Sequence, residues 1–525
     1  MNLIMRPGPA AGLVEDAIAD AEGRGLVGHV RAGDPSAWGA HADAARDWMG
    51  WLHAPEAMRP HLPAINALVA SCDADGIRHA LVLGMGGSSL SPEVTRRTFG
   101  HGGGIEVRIL DSTDPVTVAA ITDGVDPERC LAIVSSKSGT TAEPLAFAAH
   151  VGQWMQDAMG AAFRDRFVAI TDPGTPLAIR AANEGWRMVA ENLPDVGGRF
   201  SALTLFGLIP MALAGVPIAM VLDRAEAARD GSDGPRLGVA LAALARAGRD
   251  KLTIVAEPGI GSFGLWAEQL VAESLGKEGQ GIIPIANEPV GDAGEYGFDR
   301  VILHLRLTGE FDADVAAIGA SGIPVFVLDL DEPLDVGALY MTLELAIATA
   351  GAEMGINPFN QPDVQAAKDS ASAALAALGG IPTDQREEPE AITRAIDMLE
   401  RGDYLALLAF TTPTPGGERH MQAIRTAVRR RTKAAATAGW GPRFLHSTGQ
   451  LHKGGPGSGV FVQFLGAGSP DLPIPGQDHT FGDLLHAQAI GDAAALTARG
   501  RRVVRIDLGD DPEAGLARAA RAAGA

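Results

Sequence analysis

Residues 78–93 read RHALVLGMGGSSLSPE. The first six, 78–83, form a short apolar run closed by glycine, which predicts a buried strand. Gly84-Met85-Gly86-Gly87-Ser88-Ser89 is then a glycine turn, and Ser91, Pro92 and Glu93 mark a helix start. A strand, a turn and a helix amino terminus in succession expose backbone N–H groups that can hold an anion. The pattern recurs at 130–134, followed by SSKSGTT at 135–141 and a helix opening near Glu143 and Pro144. Five hydroxyls and one lysine in that loop suit a phosphate cradle; they also suit a hydroxyl-rich capping turn. Strands at 106–110, 167–171 and 188–190 continue the alternation, so the fold class is α/β, a doubly wound, mostly parallel sheet covered by helices. Ligands of such sheets sit at the carboxyl ends of the strands, where both loops fall.

A dinucleotide-binding fold competes with this reading, because Asp111 ends the 106–110 strand where a ribose-binding acid would stand. Against it, the third glycine of the G-x-G-x-x-G fingerprint is replaced by Ser89. A second sheet unit is predicted from strands at 251–256, 300–305 and 325–330, with a long apolar helix at 336–354. Two units of related order are compatible with a diverged repeat. The proline- and charge-rich IPTDQREEPE is a plausible linker. Beyond it, a helix at 391–401, strands at 404–410 and 503–508 and a helix at 512–523 extend the α/β pattern. Residues 1–60 read as amphipathic helix, with Trp38, Trp48 and Trp51 as packing groups.

The 525-residue chain carries 43 basic and 64 acidic residues, a net charge of -21, which repels nucleic acid and anionic membrane. A phosphate ligand must therefore be caught by local groups. Arg429, Arg430, Arg431 and Lys433 form one basic run, expected to be a solvated face. Only Cys72 and Cys130 occur, too few for a disulfide framework, and the amino terminus lacks a secretory pattern. A cytoplasmic protein is expected. Residues 201–222 contain no charge over a length that could span a bilayer, but Pro210, Gly215 and Pro217 interrupt them, so buried core helix is expected.

The chemistry centres on 265–277, LWAEQLVAESLGK, where Leu265, Trp266, Leu270, Val271 and Leu275 have helical spacing. Gln269 and Glu273, at i and i+4, then share a face. Upstream, Arg199 follows a glycine pair and precedes Ser201, expected to cap a helix. Downstream, NPFNQPDVQAAK carries Gln361 and Lys368 on a loop-to-helix segment. An acid, a fixed cation and an ammonium are the groups that move a proton beside a carbonyl. His446 and His452 lie in FLHSTGQLHKGG, which has neither P-loop nor zinc-site spacing; by itself His446 reads more readily as a structural histidine than as a catalyst.

Taken together, GMGGSS, SSKSGTT, GGRFS, EQLVAESLGK, FNQPDVQAAK and FLHSTGQ resemble the glucose-6-phosphate isomerase family, most closely the isomerase half of fused transaldolase–isomerase proteins. The resemblance implies two tandem sugar-isomerase (SIS) domains, at 61–230 and 231–378, between a helical segment at 1–60 and a C-terminal α/β region at 379–525. It implies a reaction in which Glu273 moves a proton between C1 and C2 of a hexose 6-phosphate and Arg199 steadies the enediol, while His446 and Lys368 open the ring and handle its oxygens. Ser136, Lys137, Ser138 and Thr141 would bind phosphate, Gly86, Gly87 and Ser88 would line the site, and Gln269 and Gln361 would hold the sugar. No metal or cofactor is expected. A non-catalytic sugar-phosphate sensor on the same domains is the alternative.

The order of segments departs from the family. In ordinary members the histidine segment lies between the glutamate helix and the lysine helix, whereas His446 follows Lys368 here. Only a fold that returns the segment to the same place preserves the site. The family also lends its histidine across a dimer interface, which implies a homodimer. A separate transaldolase is an expected functional partner, since no transaldolase half precedes Met1 and the fused activity is not expected.

Overall fold

A computed structural model describes residues 1–100, 102–363, 375, 386–466 and 470–525. Lys368 and the first half of the predicted linker lie outside these residues. Three mostly parallel sheets organise the described residues. The first consists of β2 (His79–Gly84), β3 (Glu106–Leu110), β4 (Cys130–Ser135), β5 (Phe167–Thr171) and β6 (Met188–Glu191), in the order β3-β2-β4-β5-β6. β4 is buried at every position, as a strand covered by helices on both faces must be.

The second sheet is built from β7 (Lys251–Ala256), β8 (Ile283–Ala286), β9 (Arg300–Arg306) and β10 (Val325–Asp329), closed by β1 (Asn2–Arg6), in the order β1-β10-β9-β7-β8. β1 runs antiparallel to β10, with Asn2 opposite Asp329 and Arg6 opposite Val325. The helical expectation for 1–60 therefore fails at its start. The five residues NLIMR alternate between half-buried and exposed, a period of two that covers the open edge of β10.

The third sheet comprises β11 (Tyr404–Phe410), β12 (Ala435–Trp440), β13 (Gly459–Leu465) and β14 (Arg502–Asp507), in the order β12-β11-β13-β14. In all three sheets the first strand of the parallel set is central, the second lies to one side and the third to the other. The related order anticipated for two units thus extends to a third. Besides β1, three strands, β8, β12 and β13, add to those expected. β8 contains Pro284 and β12 is mostly Ala and Gly, both weak strand signals.

Several local expectations shift. The helix after the glycine turn begins at Gly87, not near Ser91, and runs to Phe99 with Pro92 inside it. The uncharged 201–222 stretch is two helices, Leu205–Leu213 and the start of Ile218–Arg229. Ser201 does not cap the first: its hydroxyl donates to the Gly198 carbonyl at 2.6 Å, within a turn that ends before Thr204. The helix expected over 391–401 is confined to Ile392–Asp397. The segment Pro333–Met354 is long and apolar enough to cross a membrane, and 94% of its apolar window is buried in the core.

The basic run is also not simply solvated. Arg429 is buried and ion-paired to Glu295 at 2.9 Å, and buried Arg425 donates to the carbonyls of Ala286, the last residue of β8, and Asn287, the next. These arginines dock the third sheet on the second, while Arg430 stays largely exposed. Apolar residues of both sheets share one core, including Ile283 and Ile285 with Leu408 and Phe410.

Candidate functional site

The pocket opens at the carboxyl ends of β2 and β4, the point where the strand order of the first sheet reverses. It is a cavity of about 380 Å³. Gly86, Gly87 and Ser88 form one wall, and Ser136, Lys137, Ser138 and Thr141 form another. Arg199, Gln269, Glu273, Gln361 and His446 complete it, so every predicted site residue within the described chain lines one cavity. Lys368 lies outside the described residues.

Gly87 is required by close approach. A Cβ there would lie 1.9 Å from the Gly198 carbonyl oxygen, so the glycine turn and the GGRFS turn touch backbone to backbone. That contact delivers Arg199 to the pocket floor, where it is only 1% exposed. Its Nε donates to Ser274 Oγ at 2.7 Å, and its Nη2 donates to the Pro358 carbonyl and to that of Asn360 at 3.3 Å. Nη1 is 3.4 Å from Glu273 Oε1 and makes no hydrogen bond among the described residues. Burial pulls the guanidinium's pKa down and Glu273 opposes that pull.

Gln269 and Glu273 lie on the Phe263–Leu275 helix and meet as their spacing predicts: Gln269 Nε2 donates to Glu273 Oε2 at 3.0 Å. The same amide nitrogen donates to the His446 carbonyl at 2.9 Å, leaving Gln269 Oε1 buried and unpartnered among the described residues. Buried polar atoms normally have partners, so Arg199 Nη1 and Gln269 Oε1 are open positions for an oxygen-rich ligand.

His446 comes from the third sheet. It ends the short turn Arg443–His446 that follows β12, and its Nε2 is 2.9 Å from Glu143 Oε1. Glu143 also accepts from Gln488 Nε2 at 2.8 Å. The transposed segment therefore reaches the pocket within one chain. Asp111, the ribose-binding acid of the dinucleotide reading, instead accepts both Nε and Nη2 of Arg443 at 2.8 and 2.7 Å.

Several residues emerge only in three dimensions. Lys277 Nζ donates to the carbonyls of Asn357 and Asn360, each at 2.6 Å, holding the loop that carries Gln361. Burial and the nearby Arg199 keep its pKa well below the usual lysine range. Gln450 clasps the same loop from the other side, donating to Asp363 Oδ2 at 2.7 Å and accepting from the Asp363 N–H at 3.0 Å. Asp172, at the end of β5, also lines the cavity. Glu143 and Gln450 sit inside or beside the quoted motifs, and Asp172 stands at a strand end where the ligand rule points.

The family model described as phosphoglucose isomerase matches residues 57–225. A glucose-6-phosphate isomerase of Symbiobacterium thermophilum is 30% identical over 394 residues, which are 63% of this chain and 87% of that relative. The chain belongs to the glucose-6-phosphate isomerase family. A second glucose-6-phosphate isomerase, from Rubrobacter xylanophilus, is 29% identical over 377 residues, 61% of this chain and 87% of that relative. Among solved structures, a hypothetical protein of Thermus thermophilus superposes with a TM-score of 0.61 at 24% identity, covering 71% of this chain and all of that one. A glucose-6-phosphate isomerase from Chlamydia trachomatis superposes at 0.54 with 18% identity, over 70% of this chain and 87% of its own. At these identities the structural matches show a shared fold. The α/β fold expected of the glucose-6-phosphate isomerase family is the one observed.

Proposed function

We propose that this chain is an aldose–ketose isomerase that interconverts glucose 6-phosphate and fructose 6-phosphate, a step of glycolysis and gluconeogenesis. The observation that carries this reading is the buried Glu273 beside an arginine whose Nη1 is left open. A carboxylate can take a carbon-bound proton only where a cation meets the charge that develops on the adjacent oxygen, an electrostatic contribution of about 3–4 kcal/mol. The 3.4 Å separation of Arg199 Nη1 from Glu273 Oε1 supports giving Arg199 that role.

The steps follow from the pocket walls. Ser136, Lys137, Ser138 and Thr141 bind the phosphate beside Gly86, Gly87 and Ser88, and Gln269 and Gln361 orient the sugar hydroxyls. His446, oriented by Glu143, protonates the ring oxygen and opens the ring. Glu273 then moves the proton between C2 and C1 through a cis-enediol, and Lys368 assists at the sugar oxygens. Each step is an acid–base transfer among side chains, so the scheme invokes neither metal nor cofactor.

The pocket in this reading lies between a first SIS domain at 61–230 and a second at 231–378, with the 379–525 region supplying His446. A cytoplasmic homodimer working beside a separate transaldolase is part of the proposal. In this reading His446, which meets Glu143 within one chain, acts in its own subunit.

The test is exchange of the C2 proton of glucose 6-phosphate in heavy water, followed by NMR without added metal or cofactor. Exchange with appearance of fructose 6-phosphate supports the isomerase. Tight binding of glucose 6-phosphate with no exchange overturns it in favour of a sugar-phosphate sensor.

A further inference from the structure

The lysine of the phosphate loop is engaged by groups that the proposed reaction does not use. Lys137 Nζ donates to Asp172 Oδ2 at 2.5 Å and to the Pro194 carbonyl at 2.9 Å, and lies 5.6 Å from the centre of the Trp48 ring. An ammonium has three donors, so two are committed to oxygens and an aromatic face covers a further side. The loop's hydroxyls bond among themselves instead: Ser136 donates to Thr141, and Ser138 pairs with Thr140.

This arrangement is imposed by the backbone. β4 and β5 are parallel neighbours with Ser135 opposite Ile170, so the loops that follow them lie side by side. The Asp172 N–H and the Thr171 hydroxyl both donate to the Lys137 carbonyl, at 3.1 and 3.2 Å. Gly139, at φ +64°, packs so closely on the β5 turn that a Cβ would come within 2.9 Å of Thr175 and Leu177. Asp172 is thereby held against Lys137. Its Oδ1 is buried without a partner among the described residues. Burial raises the pKa of its carboxyl above the usual range and Lys137 opposes the rise, while Asp195 adds to it.

We propose that Asp172 is an affinity-setting gate: with Trp48 it holds Lys137 in a closed cage, and the substrate phosphate binds by taking Lys137 from the carboxylate. The proposal rests on 135–141 being the phosphate loop. The exchange leaves a half-buried carboxylate without its cation, a cost that is subtracted from phosphate affinity. A neutral sugar offers nothing for that exchange and leaves the cage closed.

The test titrates inorganic phosphate and glucose 6-phosphate into the full chain by calorimetry and by tryptophan fluorescence. Asp172→Asn, which keeps the backbone N–H, is expected to bind phosphate about tenfold more tightly and to lower KM more than it changes kcat. Phosphate is expected to change the fluorescence of the unsubstituted chain, and Trp48→Phe is expected to abolish that change. Equal or weaker phosphate binding by a folded Asp172→Asn overturns the gate, because Asp172 would then be holding Lys137 in its binding position. Should Asp172→Asn not fold, Asp172→Ser and the Trp48 signal decide the matter alone; absence of the signal counts against the gate. If the unsubstituted chain binds neither ligand, the phosphate-loop reading itself falls.

Discussion

Glu273 Oε1 and Arg199 Nη1 face each other at 3.4 Å in a buried pocket floor, and that guanidinium nitrogen has no hydrogen-bond partner among the described residues. Every other donor group of Arg199 is anchored: Nε on Ser274 and Nη2 on the carbonyls of Pro358 and Asn360. The other oxygen of Glu273 is fixed by Gln269. These two facing atoms are thus left open while the groups around them are held, the preorganisation that the proposed charge stabilisation requires.

Glu273→Gln keeps the shape and removes the proposed base. Turnover is expected to fall by about 100-fold to 10,000-fold, while glucose 6-phosphate binding by calorimetry is retained. Unchanged turnover would remove Glu273 from the base role.

His446 is tied to Glu143 at 2.9 Å, and in the proposed mechanism that contact orients the imidazole for ring opening. His446→Ala is expected to slow isomerisation by at least about 100-fold, and Glu143→Gln by less, because the glutamine retains the hydrogen bond but not the charge. Anomerisation of fructose 6-phosphate, followed by NMR, isolates ring opening; if it proceeds normally in His446→Ala, the histidine serves another step.

Gly87→Ala places a methyl group 1.9 Å from the Gly198 carbonyl oxygen. One of the two turns must move, with an expected loss of about 1–3 kcal/mol of stability in thermal or urea unfolding and a large loss of activity as Arg199 shifts. A stable, active Gly87→Ala would show that the contact does not position Arg199.

Glu257, immediately after β7, is a structural carboxylate. Burial raises its pKa, but the backbone N–H groups of Thr308, Leu307, Gly309 and Phe311 outweigh that and bring it down to about 2 from the ordinary 4.5. Because the folded value is depressed, its stabilisation is fully present above pH about 4.5 and is lost as pH falls toward 2. Urea unfolding across that range is expected to show stability falling with acid, and Glu257→Gln to flatten that dependence and lower stability near neutral pH by about 1–3 kcal/mol. An unaltered pH profile in Glu257→Gln would contradict this.

What could be read from the chain alone was what depends on near neighbours. Residues 78–93 announce a strand, a glycine turn and a helix, because apolar periodicity and glycine act within a few residues. The one-turn spacing of Gln269 and Glu273 places them on one face, and they meet at 3.0 Å. Local signals were weaker where small residues or proline form strands, as in β8 and β12. Only the tertiary structure decided what the transposed histidine touches: His446 and Glu143 are 303 residues apart in sequence, and no periodicity relates them. The same holds for Arg429, which a charge count assigns to solvent but which packing buries between two sheets. Asp172 meets Lys137 because β4 and β5 pair in one register. Local sequence sets which elements form; which of them become neighbours is set by the burial of their apolar faces against one another, and that is a property of the whole chain.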